Sequence, residues 1–331
     1  MHTFPIGASL PRREHRAARR HALAIAGATL LAAGLPGAAL AQPKRELRIG
    51  FQKYGTLTIL KGRGTLEPRL REKNVTVKWT EFPAGPVLLE GLNVGSIDFG
   101  TVGEAPPIFA QAAGANLVYV GHEPPSPRSE AIVVPKGSAL RTLADLRGKK
   151  IALNKGSNVH YLLVKALEKA GIPYQDVQAV FLPPADARAA FERNAVDAWA
   201  IWDPFLAAAE KQLGARVLAD GTGLVANHQF YLASRPYAQQ QGDVIAIVLD
   251  ELAKVDAWGK SHLADVAAIL ARQTGLEVPV LELAAGRYSY GVQPVSPPVI
   301  AGQQKIADVF TRLKLIPTSI IVKDAQLASR P

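Results

Sequence analysis

One short stretch of the chain combines the features of an anion-binding site. Residues 151–153 are an apolar run that predicts a buried strand, Lys155 and Gly156 predict a tight turn, and Ser157 and Asn158 favour the start of a helix. Peptide N–H groups at a helix N-terminus have no intrahelical acceptor and lie at the positive end of the helix dipole. The stretch therefore predicts an anion site at this helix start, although an ordinary strand-to-helix connection has the same pattern.

The elements that would position this site occur twice in the sequence. Four landmarks recur in the same order at offsets between 99 and 102 residues: Ile49 and Ile151, Pro83 and Pro183, Asp98 and Asp197, Glu104 and Asp203. The two members of each pair lie at the same place relative to a predicted strand or helix. The recurrence indicates two copies of one α/β unit, with chance similarity of strand–helix patterns as the alternative.

Alternating strands and helices predict a parallel sheet in each unit, with ligands bound beyond the carboxyl ends of the strands. Extended segments at 130–135 and 228–233 would connect the units and act as paired hinges. The predicted fold is an α/β protein of two lobes, with two crossover strands and a ligand cleft between the lobes. We expect the first lobe to comprise residues 42–132 and 231–331, the latter with C-terminal helices, and the second lobe residues 133–230.

The N-terminus is typical of a secretory signal peptide. Five arginines between Arg12 and Arg20 precede an Ala/Leu/Gly-rich run that ends in Ala39-Leu40-Ala41. Small residues at these last positions predict cleavage after Ala41. A retained membrane anchor is the alternative, but Gly34, Pro36 and Gly37 interrupt the apolar run. We therefore expect an exported soluble protein in the periplasm or outside the cell.

Composition excludes several classes of function. The 331 residues include no cysteine, which excludes disulfides, thiolate zinc sites and cysteine nucleophiles. Residues 1–41 contain five Arg and one Glu, so the remaining chain has 33 basic and 27 acidic residues. No basic run with interleaved aromatics occurs there, and we expect no nucleic-acid partner. The histidines after residue 41 are scattered and no catalytic motif is present, so we expect no metal, no cofactor and no catalytic residue.

Six motifs together resemble one protein family. They are residues 51–57 (FQKYGTL), 81–86 (EFPAGP), 94–100 (VGSIDFG), 103–107 (GEAPP), 153–160 (LNKGSNVH) and 201–205 (IWDPF). These motifs resemble the aliphatic sulfonate-binding proteins of bacterial ABC importers, across nearly all of the chain after residue 41. The resemblance implies a type II periplasmic binding protein that delivers alkanesulfonates to a membrane permease and ATPase as a sulfur source. We expect a monomer.

A sulfonate head group carries a permanent charge and three oxygens, so it suits convergent N–H donors. We expect peptide donors at Ser157, Asn158 and Val159 in the second lobe, and at Gly103 and Glu104 in the first. The Gln52 side chain would add an amide, unless it faces solvent. Thr56 and Leu57 lie at the start of the helix that follows the Gln52 turn, and we expect them at the site as well.

Four further candidates have competing interpretations. The carboxylates of Glu104 and Asp203 would repel the anion, so each either contributes its backbone, meets a cationic tail such as the amine of taurine, or is a helix N-terminal charge. Trp202 would form an apolar wall for an alkyl chain or belong to the core. His160 would contact the ligand or pack inside its helix, and His228 and Phe230 are weaker candidates.

Alternatives to the sulfonate hypothesis remain at this stage. Taurine- and nitrate-binding proteins are relatives of the same architecture, so taurine, nitrate or an aromatic sulfonate would fit the same class. An enzyme on this scaffold, such as a pyrimidine-precursor synthase, would need an active-site His or a Cys-rich iron motif and would normally lack an export signal. The absence of Cys and the N-terminal signal argue against it.

Overall fold

The computed structural model describes residues 45–327. The predicted signal peptide and its cleavage after Ala41 lie outside these residues. Within 45–327, no helix has the length and apolar character needed to cross a membrane.

The strands of this part of the chain are β1 (Arg45–Phe51), β2 (Val75–Glu81), β3 (Phe99–Gly103), β4 (Leu117–His122), β5 (Glu130–Val134), β6 (Lys150–Leu153), β7 (Gln178–Phe181), β8 (Ala198–Trp202), β9 (Arg216–Asp220) and β10 (Gln229–Ser234). The α-helices are α1 (Gly55–Arg63), α2 (Leu66–Arg71), α3 (Gly85–Asn93), α4 (Pro106–Ala112), α5 (Asn158–Lys169), α6 (Pro184–Glu192), α7 (Phe205–Leu213), α8 (Arg235–Gln240), α9 (Gly242–Gly259), α10 (Leu263–Thr274), α11 (Val278–Ala285) and α12 (Pro297–Arg312).

The strands form two sheets with the same topology. The first sheet has the order β2-β1-β3-β10-β4 and the second β7-β6-β8-β5-β9. In the first, β1 pairs in parallel with β2 and β3, and β10 runs antiparallel to its neighbours β3 and β4. In the second, β6 pairs in parallel with β7 and β8, and β5 runs antiparallel to β8 and β9. Each extended crossover segment therefore holds the equivalent place in its sheet, and the predicted two-lobed α/β fold is confirmed.

Helices cover both faces of the first sheet. On one face, Leu47 and Ile49 of β1 pack with Leu57 of α1 and with apolar side chains of α9 and α10. On the other face, Val102 of β3 and Phe230 of β10 pack with α3, α4 and α12. The second sheet has its own core, in which Ile151, Leu153 and Trp199 meet α5, α6 and α7. Apolar strands buried on both faces are typical of such layered α/β sheets.

The C-terminal helices also reach the second sheet's lobe. Ala207 and Ala208 of α7 pack against Val280 and Ala284 of α11, and Phe310 of α12 contacts Tyr161 of α5. These helices therefore contact both lobes, in addition to covering the first sheet.

Candidate functional site

The loops at the carboxyl ends of the parallel strands meet around one small cavity, called here the inner cavity. Its volume is about 20 Å³, which is room for about one water molecule. Its lining residues come from both lobes and both crossovers: Gln52, Tyr54, Gly85, Gly103, Pro106, Ser129, Ser157, Asn158, Trp202, Asp203, Asn227, Gln229 and Tyr288. The cavity is small because the Asn158 side chain of one lobe lies against the Gly103 backbone of the other.

The start of α5 supplies the clearest donor group of this cavity. Gly156 takes a positive φ of 76°, which glycine adopts without strain, and its N–H donates to Nδ1 of His160 at 3.2 Å. Ser157 then has extended backbone angles and is the N-cap residue, and its hydroxyl donates to the carbonyl of Asn154 at 2.7 Å. The peptide N–H groups of Asn158 and Val159 follow at the first two helical positions, where no intrahelical acceptor exists. The helix start predicted from the sequence is therefore confirmed.

The Asn158 side chain connects the two lobes. Its amide nitrogen donates to Oδ1 of Asn227 at 2.5 Å, and the Asn227 amide donates to the Ser126 carbonyl and the Ser129 hydroxyl, each at 3.0 Å. The same side chain lies against Gly103 at the end of β3, so closely that a Cβ at Gly103 would lie under 3.0 Å from it. Glycine at this position therefore permits the close approach of the lobes.

Gln52 lines the cavity, but its amide nitrogen already has partners. It donates to the Thr101 carbonyl at 3.2 Å and lies 3.4 Å from the Tyr54 hydroxyl. The Tyr54 hydroxyl in turn donates to Oε1 of Gln229 at 2.6 Å. Burial raises the pKa of Tyr54, so this hydroxyl stays protonated at neutral pH. The predicted solvent-facing alternative for Gln52 is wrong, since the residue is buried.

Asp203 is the charged residue of the lining, and Arg287 compensates its charge. The carboxylate is 1% exposed and accepts hydrogen bonds from the Ala207 N–H at 2.9 Å and from the Arg287 guanidinium at 3.3 and 3.4 Å. Arg287 also pairs with Glu210 at 2.5 Å. Burial raises the pKa of Asp203 to about 7, while the charge of Arg287 acts in the opposite direction. Both oxygens face protein donors, so this carboxylate is not free to bind a cationic tail.

Trp202 separates the inner cavity from a larger one, called here the outer cavity. The outer cavity has a volume of about 290 Å³ and shares Gln52, Tyr54 and Trp202 with the inner cavity. Its apolar walls come from both lobes: Phe82, Pro83, Pro183, Pro184, Ala185, Pro204, Phe205 and Leu276. Trp202 is 8% exposed and meets the edge of Phe205 at a ring distance of 6.3 Å. It is therefore both a core residue and a wall between the two cavities.

The side chains of five predicted site residues lie outside the inner cavity. Thr56 donates to Oδ1 of Asp256 at 2.7 Å, and Leu57 and Val159 belong to the apolar cores of their lobes. His160 is fully buried, with Nε2 at 2.8 Å from the Tyr174 hydroxyl, and burial lowers its pKa to about 4. The Glu104 side chain is buried, with Oε2 accepting the His228 N–H at 3.2 Å, and the residue lines a different cavity. A backbone contact of these residues with a ligand stays a prediction.

Seven lining residues were not among the predicted site residues: Tyr54, Gly85, Pro106, Ser129, Asn227, Gln229 and Tyr288. Tyr54 lies just before α1, and Gly85 and Pro106 begin α3 and α4; all three belong to motifs that the sequence analysis already singled out, so they could have been identified. Ser129, Asn227 and Gln229 lie at the starts of the crossover strands, which the sequence also indicated. Tyr288 lies in the segment after α11, where no sequence pattern identifies it.

Comparisons with known proteins agree with this arrangement. The family model described as NMT1/THI5-like matches residues 72–254. A protein of Escherichia coli strain K12, named as an aliphatic sulfonates-binding protein, is 46% identical over 306 residues, which cover 92% of this chain and 95% of the relative.

Two solved structures are similar over most of their length. The alkanesulfonate-binding protein SsuA of Xanthomonas axonopodis pv. citri, bound to MOPS, is 44% identical with a TM-score of 0.81, covering 87% of this chain and 99% of that one. The periplasmic aliphatic sulphonate binding protein SsuA of Escherichia coli is 45% identical with a TM-score of 0.77, covering 87% and 95%.

Proposed function

Because the chain belongs to the NMT1/THI5-like family and, within it, to the aliphatic sulfonate-binding proteins, we propose that it captures alkanesulfonates for a bacterial ABC importer. The observation that carries this proposal is the lining of the inner cavity. It combines the start of α5 with neutral polar side chains and with Asp203, whose charge Arg287 compensates, and among residues 45–327 it includes no Lys or Arg. A permanent monoanion suits such a set of neutral donors.

Neutral donors are sufficient for useful affinity. Each hydrogen bond to a charged group contributes about 1.5–3 kcal/mol, and a helix N-terminus adds about 0.3–1 kcal/mol. Two or three peptide donors, at Ser157, Asn158 and Val159 with Gly103 opposite, offset the entropy of capture. A micromolar Kd requires about 8 kcal/mol net, so burial of the tail has to add to these head-group contacts.

Entry of the ligand requires the lobes to separate. A sulfonate head with three oxygens exceeds a cavity of about 20 Å³, and Asn158 closes it against Gly103 and Asn227. The crossover strands β5 and β10 join the lobes and are the natural hinges. The head group would then replace part of the contacts that Asn158 makes across the cleft.

The alkyl tail would extend past Trp202 and Tyr54 into the outer cavity. The walls there are aromatic rings, prolines and leucine, so each buried methylene contributes about 0.8 kcal/mol. The ammonium of taurine would have to compete with Lys53 for the exposed carboxylate of Glu81, the two side chains lying 3.4 Å apart. We therefore infer that longer alkanesulfonates bind more tightly than ethanesulfonate, and that taurine binds more weakly still.

The remaining parts of the proposal concern the setting. We propose export to the periplasm with cleavage after Ala41, action as a monomer, and delivery to a cognate permease and its ATPase. The relatives are named as binding proteins, and capture needs no catalytic group, so we propose a binding protein without enzymatic activity. The lobes would comprise residues 42–132 with 231–331, and 133–230.

A calorimetric ligand panel tests the proposal. Purified residues 42–331 are titrated with octanesulfonate, ethanesulfonate, taurine, sulfate and nitrate in Tris chloride, since sulfonate buffers such as MOPS would compete. Octanesulfonate should bind most tightly, and octanol, the tail without the head, should not bind measurably. Binding of sulfate or nitrate without binding of any alkanesulfonate would overturn the proposal.

One substitution, tested with two ligands, separates the contribution of the sulfonate head group from that of the alkyl tail. Trp202→Ala removes a wall of the outer cavity, so it should weaken octanesulfonate binding by a larger factor than ethanesulfonate binding. Equal weakening of both ligands would contradict the placement of the tail.

A further inference from the structure

A chain of hydrogen bonds in the wall of the inner cavity has its direction set by a backbone carbonyl. The Thr101 carbonyl of β3 can only accept, so the Gln52 side chain turns its amide nitrogen toward it, at 3.2 Å. The same nitrogen lies 3.4 Å from the Tyr54 hydroxyl and offers it a second N–H. The Tyr54 hydroxyl donates its own proton to Oε1 of Gln229 at 2.6 Å. Each bond fixes the next, so the Gln229 amide has one orientation.

This orientation leaves the amide nitrogen of Gln229 without a partner. Oε1 faces the Tyr54 hydroxyl, and Nε2 therefore lies on the other side of the amide group. Within residues 45–327 this nitrogen donates to no protein atom, and it keeps accessible surface of its own. The residue lines the inner cavity. N–H groups without an acceptor in so confined a place are costly, and an oxygen of a bound ligand would supply the acceptor.

The position of Gln229 brings this amide to the sulfonate side of the cavity. Gln229 begins β10 and pairs with Gly103 at the end of β3, and neighbouring strands lie about 5 Å apart. Gly103 in turn lies against the Asn158 side chain at the start of α5. All three residues line the inner cavity. The Gln229 amide therefore shares this small space with the peptide N–H groups of α5.

A purely structural role does not account for the Gln229 amide. A structural amide binds protein atoms at both ends, as the amide of the neighbouring Asn227 does. The Asn227 oxygen accepts from Asn158, and its nitrogen donates to Ser126 and Ser129. The Gln229 nitrogen has no such acceptors, which favours a contact with the ligand.

We propose that Gln229 is a ligand-binding residue whose side-chain N–H groups donate to a sulfonate oxygen, and that Tyr54 is the positioning residue that orients this amide. The inference rests on the proposed function, because it assigns a further contact within the sulfonate site. Since β10 is a crossover strand, the contact connects the head group directly to the hinge between the lobes. Since an NH₂ group only donates, it selects a head group that offers acceptors and no donors.

Gln229→Glu tests this selection. One carboxylate oxygen can keep the bond from Tyr54, and the other would then face the ligand in place of the NH₂ group. Calorimetry on residues 42–331 near pH 8 should show a loss of about a hundredfold in octanesulfonate affinity. Octanesulfonamide, whose neutral head group carries N–H donors, should lose less, so the ratio of the two affinities should fall by about tenfold or more. An unchanged ratio would overturn the proposal, because a merely structural Gln229 would affect both ligands alike.

Two further variants control for charge and for folding. Gln240→Glu makes the same change of charge at an exposed position of α8 that is not in the cavity lining, and it should bind octanesulfonate like wild type. Gln229→Met removes the donors without adding charge, and it should weaken ethanesulfonate and octanesulfonate by the same factor, about tenfold or more. Urea unfolding checks that each variant is folded. Wild-type affinity in Gln229→Met, or an equal loss in Gln240→Glu and Gln229→Glu, would overturn the proposal.

Tyr54→Phe tests the positioning role. The variant loses only the hydroxyl, so the Gln229 amide is free to turn its oxygen toward the head group, and octanesulfonate should bind several-fold more weakly. In a Gln229→Met background no amide remains to be oriented, and Tyr54→Phe should add little further loss. Equal losses in the two backgrounds would overturn the positioning role. Failure of this inference leaves octanesulfonate binding to the wild-type protein intact, whereas failure of the proposed function removes it.

Discussion

Gly103→Ala tests whether the lobes close at the contact between Gly103 and Asn158. Gly103 ends β3 of the first sheet, and Asn158 begins α5 of the second lobe. A Cβ at Gly103 would meet the Nδ2, Oδ1 and Cγ atoms of Asn158, all under 3.0 Å away. The methyl group would thus act as a wedge between the lobes, because the Asn158 side chain can give way only by leaving its hydrogen bond to Asn227.

The size of the effect follows from the cost of overpacking. An extra methyl in a well-packed contact costs about 1–3 kcal/mol, which corresponds to a loss of about 5- to 150-fold in affinity. The cost applies to the closed form, because opening of the cleft separates the two residues. Gly103→Ala should therefore weaken octanesulfonate binding while the free energy of unfolding of the unliganded protein changes little.

Calorimetry with octanesulfonate measures the loss, and small-angle scattering of the liganded protein should show a larger radius of gyration than for wild type. Gly137→Ala is the matched control, since a Cβ at Gly137 would meet nothing within 4 Å, and it should bind like wild type. In an Asn158→Ala background, which removes the three atoms that would clash, Gly103→Ala should add little further loss. Wild-type affinity in the single variant Gly103→Ala would refute closure at this contact.

Two further predictions concern the donor helix and a buried acid. Asn158→Pro removes a peptide N–H at the first helical position, after an extended Ser157 that tolerates a following proline. Its control is Asn158→Ala, which loses the same side-chain contacts but keeps the N–H, and Asn158→Pro should bind octanesulfonate about tenfold or more weakly than this control. Equal affinities of the two variants in calorimetry would show that this N–H does not contact the ligand. Burial raises the pKa of Glu130 well above its ordinary value, so the folded protein holds this proton more tightly and the free energy of unfolding falls as pH rises, by up to about 1.4 kcal/mol per pH unit. Urea unfolding at several pH values should show a shallower decline for Glu130→Gln, and an unchanged slope would mean that Glu130 titrates normally.

Much of the fold was predictable because the repeat is visible in the sequence as pairs of landmark residues at nearly constant offsets. The landmarks at Pro83 and Pro183 directly precede α3 and α6, one in each lobe, and the helix start at Ser157 is where the turn residues indicated it. Local rules suffice here, because strand, turn and cap preferences act over a few residues. By contrast, no local pattern places α11 against α7, since this pairing is a tertiary contact between distant segments.

The site was less predictable because local sequence does not determine which hydrogen bonds form between distant segments. Gln52 has the residue type of a donor, but its amide is used by the Thr101 carbonyl of the next strand. Asn227 accepts a hydrogen bond from the Asn158 amide, but it lies in a loop whose sequence shows no motif that identifies it. The direction of Glu104 follows from strand geometry, because neighbouring residues at a strand end point to opposite faces. With Gly103 facing the cleft, the side chain of Glu104 lies away from it, where its Oε2 accepts the His228 N–H.

The charge balance of the inner cavity argues for monoanions over dianions. Its positive potential comes from one helix N-terminus, equivalent to about half an elementary charge, and from neutral donors. The Arg287 charge is already shared between Asp203 and Glu210, so no further cation in the described lining offsets a second negative charge. A sulfonate brings one charge that these donors can solvate, whereas sulfate brings a second one beside the buried Asp203. The lack of a second cation therefore favours the sulfonate head group over sulfate, and this preference does not depend on the alkyl tail.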